Sequence, residues 1–304
     1  MATILFAAPD RLWPDWAPHL RAALPGHDLL TDADPASIDV ILYAPNGGLV
    51  DFSPFTRCRL VQSLWAGVER ITGNASLTQP LARMVDPGLA QGMVEYVTGH
   101  VLRVHLGIDA YAQDGVWRND LVPPLASERR VTVLGLGELG GACARALSGL
   151  GFAVTGWSRR PAALPGIRCR SGTEGLEAAL TGAQIVITLL PLTPTTENLM
   201  DAARLARLAP GAHLINPGRG ALIDDKALVA ALDRGDLGGA TLDVLRVEPL
   251  PADHPFWGHP KVLVTPHIAA ETRPATAAQV VAENVARVMD GKPPRFLVDR
   301  GAGY

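Results

Sequence analysis

Residues 131–140 read VTVLGLGELG, and this stretch decides the fold. VTVL is a continuous apolar run, as a strand covered on both faces of a parallel sheet requires. Gly135, Gly137 and Gly140 follow at once in the spacing G-x-G-x-x-G, and LGGACARALSGL (139–150) continues as a helix. The first glycine permits a tight turn, the second lets backbone approach a pyrophosphate, and the third lets helix and strand pack closely. The helix N-terminus adds unpaired N–H groups and a positive dipole end. Gly135, Leu136, Gly137, Glu138, Leu139 and Gly140 therefore read as a dinucleotide-binding turn. A plain glycine turn would not need both flanking elements.

Downstream of this turn the rhythm is regular. AVTGW (153–157), IRCR (167–170), IVITLL (185–190), AHLIN (212–216), ATLDV (240–244) and KVLVT (261–265) are strand candidates. DAARLARLA (201–209) and DKALVAALDRG (225–235) are helical segments between them. The alternation predicts a doubly wound parallel sheet.

Upstream, ATILFAA (2–8), VILYA (40–44), RLVQSL (59–64) and ARMV (82–85) are shorter strand candidates, with a helix over DWAPHLRAAL (15–24). They predict a small α/β unit with no glycine fingerprint. A long helix is expected from about Leu89 to Tyr111, with Met93, Val97, Val101, Val104 and Ile108 on its apolar face. DGVWRNDLVPP (114–124) breaks that pattern and is a candidate hinge. A last helix is expected over roughly Pro274 to Met289.

The chain has 304 residues, room for two domains. Hydrophobic residues make up 48% and charged residues 19%, as in an ordinary globular enzyme. A net charge of -3 without a Lys/Arg block gives no case for a nucleic-acid partner. No apolar run reaches the roughly 20 residues that span a bilayer, and MATILFAAPD reads as a first strand, so no membrane partner is expected. Cys58, Cys143 and Cys169 are scattered without CxxC spacing, which implies neither a metal site nor a disulfide framework. A cytoplasmic setting is expected.

The next strand after the fingerprint runs into GWSRRP (156–161). NAD-binding units usually carry an acidic residue here, bonded to the ribose hydroxyls. This chain has Ser158, then Arg159 and Arg160. A carboxylate would repel a 2′-phosphate, whereas a hydroxyl and two guanidiniums would bind it. The expectation is NADP(H), with NAD(H) possible; the plainer reading is a solvated basic loop.

Three polar residues follow strand candidates in the same half of the chain. Arg219 follows AHLIN, Glu248 follows ATLDVL, and His267 follows KVLVT. Ligands of parallel α/β sheets bind at the carboxyl ends of the strands. Reducing a 2-oxo acid requires that its carboxylate be held, its carbonyl polarised and a proton delivered. Arginine suits the first two tasks and histidine the third. A carboxylate beside such a histidine favours the imidazolium. The other histidines, such as His19, His100, His105 and His213, read as structural.

GLGELG, LLPLTPTTENLM (189–200), the block 208–251 and TPHIAA together resemble the D-isomer-specific 2-hydroxyacid dehydrogenases, and within them the reductases of glyoxylate and hydroxypyruvate. The resemblance covers essentially the whole chain, including WAGVER (65–70), ETRPA (271–275) and the terminal VDRGAGY. It implies two Rossmann-like, doubly wound α/β domains: a flavodoxin-like substrate-binding domain (1–98 plus 282–304) and an NADP-binding domain (99–281). It implies Arg219 as substrate-orienting arginine, His267 as proton donor and Glu248 as its carboxylate partner. Leu190, Pro191, Pro217 and Gly218 would line the cofactor, and Asp243 would meet the nicotinamide carboxamide. Trp65, the backbone of Ala66, Gly67 and Val68, and Arg273 would bind substrate. Glu69 stands where the family commonly has Asp, and Pro217-Gly218 where it often has Ala or Ser. The family also implies a homodimer, with residues 99–125 as part of the contact. Two other readings stay open: an NAD-linked dehydrogenase of another D-2-hydroxy acid, and a non-enzymatic cofactor-sensing binding protein.

Overall fold

The computed structural model describes residues 1–111, 115–117, 119 and 122–303. The chain divides into two compact units, Met1–Leu89 with Glu271–Tyr304, and Ala90–Ala270.

The first unit holds five strands: β1 (Thr3–Ala7), β2 (Asp28–Leu30), β3 (Val40–Tyr43), β4 (Leu60–Ser63) and β5 (Leu81–Ala82). All pair in parallel in the order β2-β1-β3-β4-β5. That is the flavodoxin-like order, with the reversal between β1 and β3. Residue alternation along β1 splits the core in two. Ile4 and Phe6 pack with helices α1 (Trp13–Ala23) and α8 (Pro274–Met289), through Trp16, Leu20, Val281 and Val285. Leu5 and Ala7 pack on the other face with Phe52, Phe55 and Leu77. A short helix, α2 (Glu69–Thr72), follows β4.

Two buried polar groups tie the returning C-terminal segment to this unit. Asn284, on the apolar face of α8, donates to Gln62 Oε1 at 2.7 Å and accepts from the Arg295 N–H at 2.7 Å. Asp86 accepts from the N–H groups of Gly88, Leu89 and Arg273 and from the Thr276 hydroxyl. One carboxylate thus caps the start of α3 (Pro87–Leu106) and ties the residues that open α8 to it.

The second unit holds seven parallel strands: β6 (Arg130–Leu134), β7 (Ala153–Ser158), β8 (Arg168–Ser171), β9 (Ile185–Thr188), β10 (Ala212–Asn216), β11 (Leu237–Leu242) and β12 (Val262–Val264). Their order is β12-β11-β10-β9-β6-β7-β8. The direction of winding reverses between β6 and β9, which sets a ligand crevice at their carboxyl ends. Val131 and Val133 pack with α3 and with α4 (Glu138–Gly149), through Val97, Val101, Cys143 and Leu147. Leu134, Val186 and Leu214 pack on the opposite face with α5 (Gly172–Leu180) and α7 (Asp225–Asp233). Asp224 caps α7 by accepting from Lys226 N and Ala227 N.

Several boundaries differ from the sequence expectation. The divisions expected at 98/99 and 281/282 fall inside α3 and α8, whereas the units divide at 89/90 and 270/271. All of α8 therefore belongs to the first unit. Of the candidate hinge 114–124, residues 114, 118, 120 and 121 lie outside the described residues; the rest lies in the second unit. α3 stops at Leu106, because Gly107 takes a left-handed conformation, and Ile108 is exposed beyond it. The helix expected over 201–209 is one turn, α6 (Ala202–Leu205). There the Arg207 carbonyl accepts from Gly182 N and the Ala209 N–H donates to Ala183 O, so the backbone turns away before Pro210. Among the described residues, no helix is long and apolar enough to cross a membrane.

Candidate active site

The fingerprint turn joins β6 to α4. Gly135 has φ +102°, and a Cβ there would press on the Leu189 carbonyl; a Cβ on Gly140 would collide with the Gly135 carbonyl. Both glycines are thus required by the chain's own packing. Gly137 differs: it caps α4 with no side-chain hydrogen bond, and a Cβ on it would meet no atom of the chain. Its lack of a side chain leaves room for a ligand's approach to the helix N-terminus, the arrangement that suits a pyrophosphate. The Leu189 N–H donates to the Leu134 carbonyl at 2.7 Å, so the turn after β9 lies beside the fingerprint. Leu190 is buried in that turn, and the Pro191 carbonyl accepts from Thr196 Oγ1 at 2.7 Å.

Ser158 is the last residue of β7, next to β6. Its hydroxyl donates to the Arg160 carbonyl at 2.7 Å. The hydroxyl thereby folds the turn that carries Arg159 and Arg160, both exposed. No carboxylate ends this strand, so the site fits a phosphorylated ribose better than a free 2′-hydroxyl.

The three candidate catalytic residues follow neighbouring strands. Asn216, Leu242 and Val264 end β10, β11 and β12 in register. Asn216 is fully buried and shapes the Arg219 turn. Its Oδ1 accepts from Thr188 Oγ1 at 2.6 Å and Gly218 N at 3.2 Å, and its Nδ2 donates to the Arg219 carbonyl at 2.9 Å. Pro217 and Gly218 are buried, and Arg219 Nη1 donates to the Gly218 carbonyl at 2.7 Å. A Cβ on Gly220 would collide with the Leu245 backbone, so the turns after β10 and β11 lie directly against each other.

His267 and Glu248 meet. Nδ1 of the imidazole lies 2.8 Å from Glu248 Oε2, and Glu248 Oε1 accepts from the Leu245 N–H at 2.8 Å. The carboxylate is therefore oriented by the β11 turn on one side and orients the imidazole on the other. His267 has φ +56°, a conformation that strains a residue with a side chain. The backbone that holds it is anchored on Asp243. The His267 N–H donates to the Asp243 carbonyl at 2.8 Å. The Asp243 carboxylate, 1% exposed with its residue, accepts from Thr265 Oγ1 (2.6 Å), Ile268 N (2.9 Å) and Ala269 N (2.9 Å). Both Asp243 oxygens are thus engaged by the chain itself.

Trp65, Ala66, Gly67, Val68 and Arg273 lie in the first unit. The Trp65 N–H donates to Ser63 Oγ, and its carbonyl accepts from Met84 N. Val68 is buried at the start of α2. Arg273 caps α8, with its N–H on Asp86 at 2.8 Å. Sequence reasoning missed Asn216, Thr265 and Tyr96 as groups that shape the site. Thr265 and Asn216 stand inside the quoted motifs, which offered a signal. Tyr96 lies far away in the chain and offered none.

A family model described as "D-isomer specific 2-hydroxyacid dehydrogenase, NAD binding domain" matches residues 97–269. The chain belongs to that family. A relative from Serratia proteamaculans named glyoxylate/hydroxypyruvate reductase A is 39% identical over 295 residues, covering 94% of this chain and 91% of the relative. One of the same name from Yersinia enterocolitica is 35% identical, with 99% of each chain covered. Among solved dehydrogenases, one from Xanthobacter autotrophicus, in complex with NADPH and MES, matches with a TM-score of 0.92 at 40% identity, covering 100% of this chain and 99% of that one. The NADPH-dependent glyoxylate/hydroxypyruvate reductase from Sinorhizobium meliloti, in complex with NADP and sulfate, matches with 0.90 at 32% identity, covering 100% of both. The two α/β sheets and the fingerprint turn are thus those of a 2-hydroxyacid dehydrogenase.

Proposed function

We propose that this dehydrogenase reduces small 2-oxo acids of the glyoxylate and hydroxypyruvate class to D-2-hydroxy acids, with NADPH as the preferred cofactor. The observation that carries the reading is the 2.8 Å pair of His267 Nδ1 and Glu248 Oε2, set in register beside the Arg219 turn. The cofactor, when bound, supplies the hydride. Arg219 holds the substrate carboxylate and polarises the carbonyl through its charged fork. With Nδ1 occupied by Glu248, Nε2 is the ring nitrogen that carries the transferable proton. The imidazolium donates it to the nascent alkoxide, and Glu248 stabilises the charged ring beforehand. Gly135 to Gly140, Leu190, Pro191, Pro217 and Gly218 line the cofactor's path, and Ser158, Arg159 and Arg160 receive a 2′-phosphate. Trp65, the backbone of Ala66, Gly67 and Val68, and Arg273 are further groups proposed to bind substrate.

The relatives' names and the NADPH and NADP complexes of the matched structures support this reading. The protein is proposed as a cytoplasmic homodimer. Free thiols at Cys58, Cys143 and Cys169 support the reducing compartment. Exposed Ile108, Tyr111, Trp117, Val122 and Leu125 support a second copy docking near residues 108–125. Sedimentation of wild type and Trp117→Asp tests the dimer, which the substitution is expected to weaken. Initial rates over 2-oxo acids of increasing size, with NADPH and with NADH, test the activity. Turnover is expected to be greatest with the smallest acids and NADPH. No turnover with any acid would overturn the reading in favour of a binding protein, and equal efficiency with NADH would remove the 2′-phosphate assignment.

A further inference from the structure

The loop that carries His267 is held by a hydrogen-bond chain that begins on α3. Tyr96 Oη and Thr265 Oγ1 are 2.7 Å apart, and Thr265 Oγ1 is 2.6 Å from Asp243 Oδ1. The direction of this chain follows from proton counting. A threonine hydroxyl has one proton, and the carboxylate can only accept it. Tyr96 must therefore donate to Thr265, and Thr265 to Asp243. Burial pushes the Tyr96 phenol up to about 12, so it stays a donor at any pH at which an enzyme works. Each bond in such a chain polarises the next, and the chain ends on a negative charge.

Asp243 is the hub of the loop. Its carboxylate also receives Ile268 N and Ala269 N, and its carbonyl receives His267 N. These bonds bracket His267 on both sides and hold its left-handed backbone, φ +56°. Without them a non-glycine residue there would relax toward ordinary angles and turn the imidazole away from Glu248. Thr265 is also bound through its backbone, since its carbonyl lies 3.0 Å from His267 N. Tyr96 is anchored in turn by the tilted stack of its ring on His100, centroids 4.3 Å apart.

We propose that Thr265 is a positioning residue for His267: its hydroxyl joins Tyr96 to Asp243, and this chain fixes the backbone that aims the imidazole. The proposal rests on the reading of His267 as proton donor. It assigns Tyr96, which is joined to the His267 loop through Thr265, a measurable effect on turnover.

The test is kcat and KM for glyoxylate with NADPH in wild type, Thr265→Val, Thr265→Ser and Tyr96→Phe, with Tm measured for each. Thr265→Val is expected to lower kcat about tenfold or more with KM nearly unchanged, because misplacing a reacting group costs rate rather than affinity. Thr265→Ser keeps the hydroxyl and is expected to restore most of the rate. Tyr96→Phe leaves the Thr265–Asp243 bond intact and is expected to lower kcat about threefold. Wild-type kcat in Thr265→Val, or a loss that serine does not restore, would overturn the proposal. If Thr265→Val does not fold, Tyr96→Phe decides, and an unchanged kcat there would overturn it. If wild type turns over no 2-oxo acid, the functional reading fails on its own, and the positioning claim is read from the His267 15N ring resonances. These are expected to shift in Thr265→Val and Tyr96→Phe, and unchanged resonances would overturn it.

Discussion

The two units use one architectural rule and treat the first strand-to-helix turn in opposite ways. In the first unit β1 leads through Pro9 and a short 3-10 helix, Asp10–Leu12, into α1. That turn is filled. Trp13 and Trp16 lie against Phe6 with centroids 5.0 and 6.4 Å away, and a Cβ on Gly47 would press on Ala8. Pro9 and Pro14 offer no N–H, and Asp15 places a negative charge in the first turn of α1. An anion has no reason to bind there. In the second unit β6 leads directly into α4 through Gly135, Leu136 and Gly137, and the space at Gly137 is left open by the chain. A doubly wound sheet provides the crevice, but the turn chemistry decides which crevice takes phosphate. The second unit alone also brings Arg, Glu and His to the ends of three adjoining strands.

Substitutions in the fingerprint break this comparison most sharply. Gly140→Ala places a methyl on the Gly135 carbonyl, and the forced displacement is expected to cost about 3 kcal/mol or more, seen as a large fall in Tm. Gly137→Ala has free space in the chain, so its Tm without cofactor is expected to stay near wild type while the NADPH Kd rises about tenfold. A Gly137→Ala protein that bound NADPH normally would show that the open space is not used. Glu248→Gln keeps the shape of the pair and removes its charge. Its kcat is expected to fall about a hundredfold with KM for the 2-oxo acid nearly unchanged. Arg159→Ala combined with Arg160→Ala is expected to raise the NADPH KM about tenfold and leave that for NADH in place. An equal rise for both cofactors would point to the pyrophosphate rather than the 2′-phosphate.

Stability also depends on pH. His213 lies on β10 with Nε2 3.0 Å from Thr241 Oγ1, and burial pushes it down to about 4. The unfolded chain, with an ordinary histidine near 6.5, then binds more protons than the folded one between the two values. Stability is therefore lost as pH falls from about 6.5 toward 4 and levels off below. His213→Asn is expected to flatten that slope in urea melts across the window. An unaltered slope would place the acid sensitivity elsewhere.

Most of the second unit was legible because its strands are continuous apolar runs and its turns carry Gly, Asp and Pro at fixed places. β2 was not, since three largely exposed residues at a sheet edge carry no period. Neither was α5, where Gly172 and Gly175 dilute the helical signal. The expected unit boundaries and the compact units differ by about ten residues because α3 and α8 are continuous helices, and periodicity does not mark where packing partners change. For the candidate site, Arg219, Glu248 and His267 were proposed from strand ends, and the structure adds that Glu248 and His267 touch. The groups that hold them were not readable. Asn216 works through a turn, and Tyr96 across a separation of 169 residues to Thr265. Such partners follow from three-dimensional packing, not from local pattern.

The most direct test of the account is the rate of NADPH oxidation with glyoxylate in wild type and His267→Ala, measured at saturating cofactor. Steady turnover is expected in wild type and a kcat about a thousandfold lower in His267→Ala, as loss of a general acid implies, with NADPH affinity retained. Equal kcat in the two proteins would contradict it.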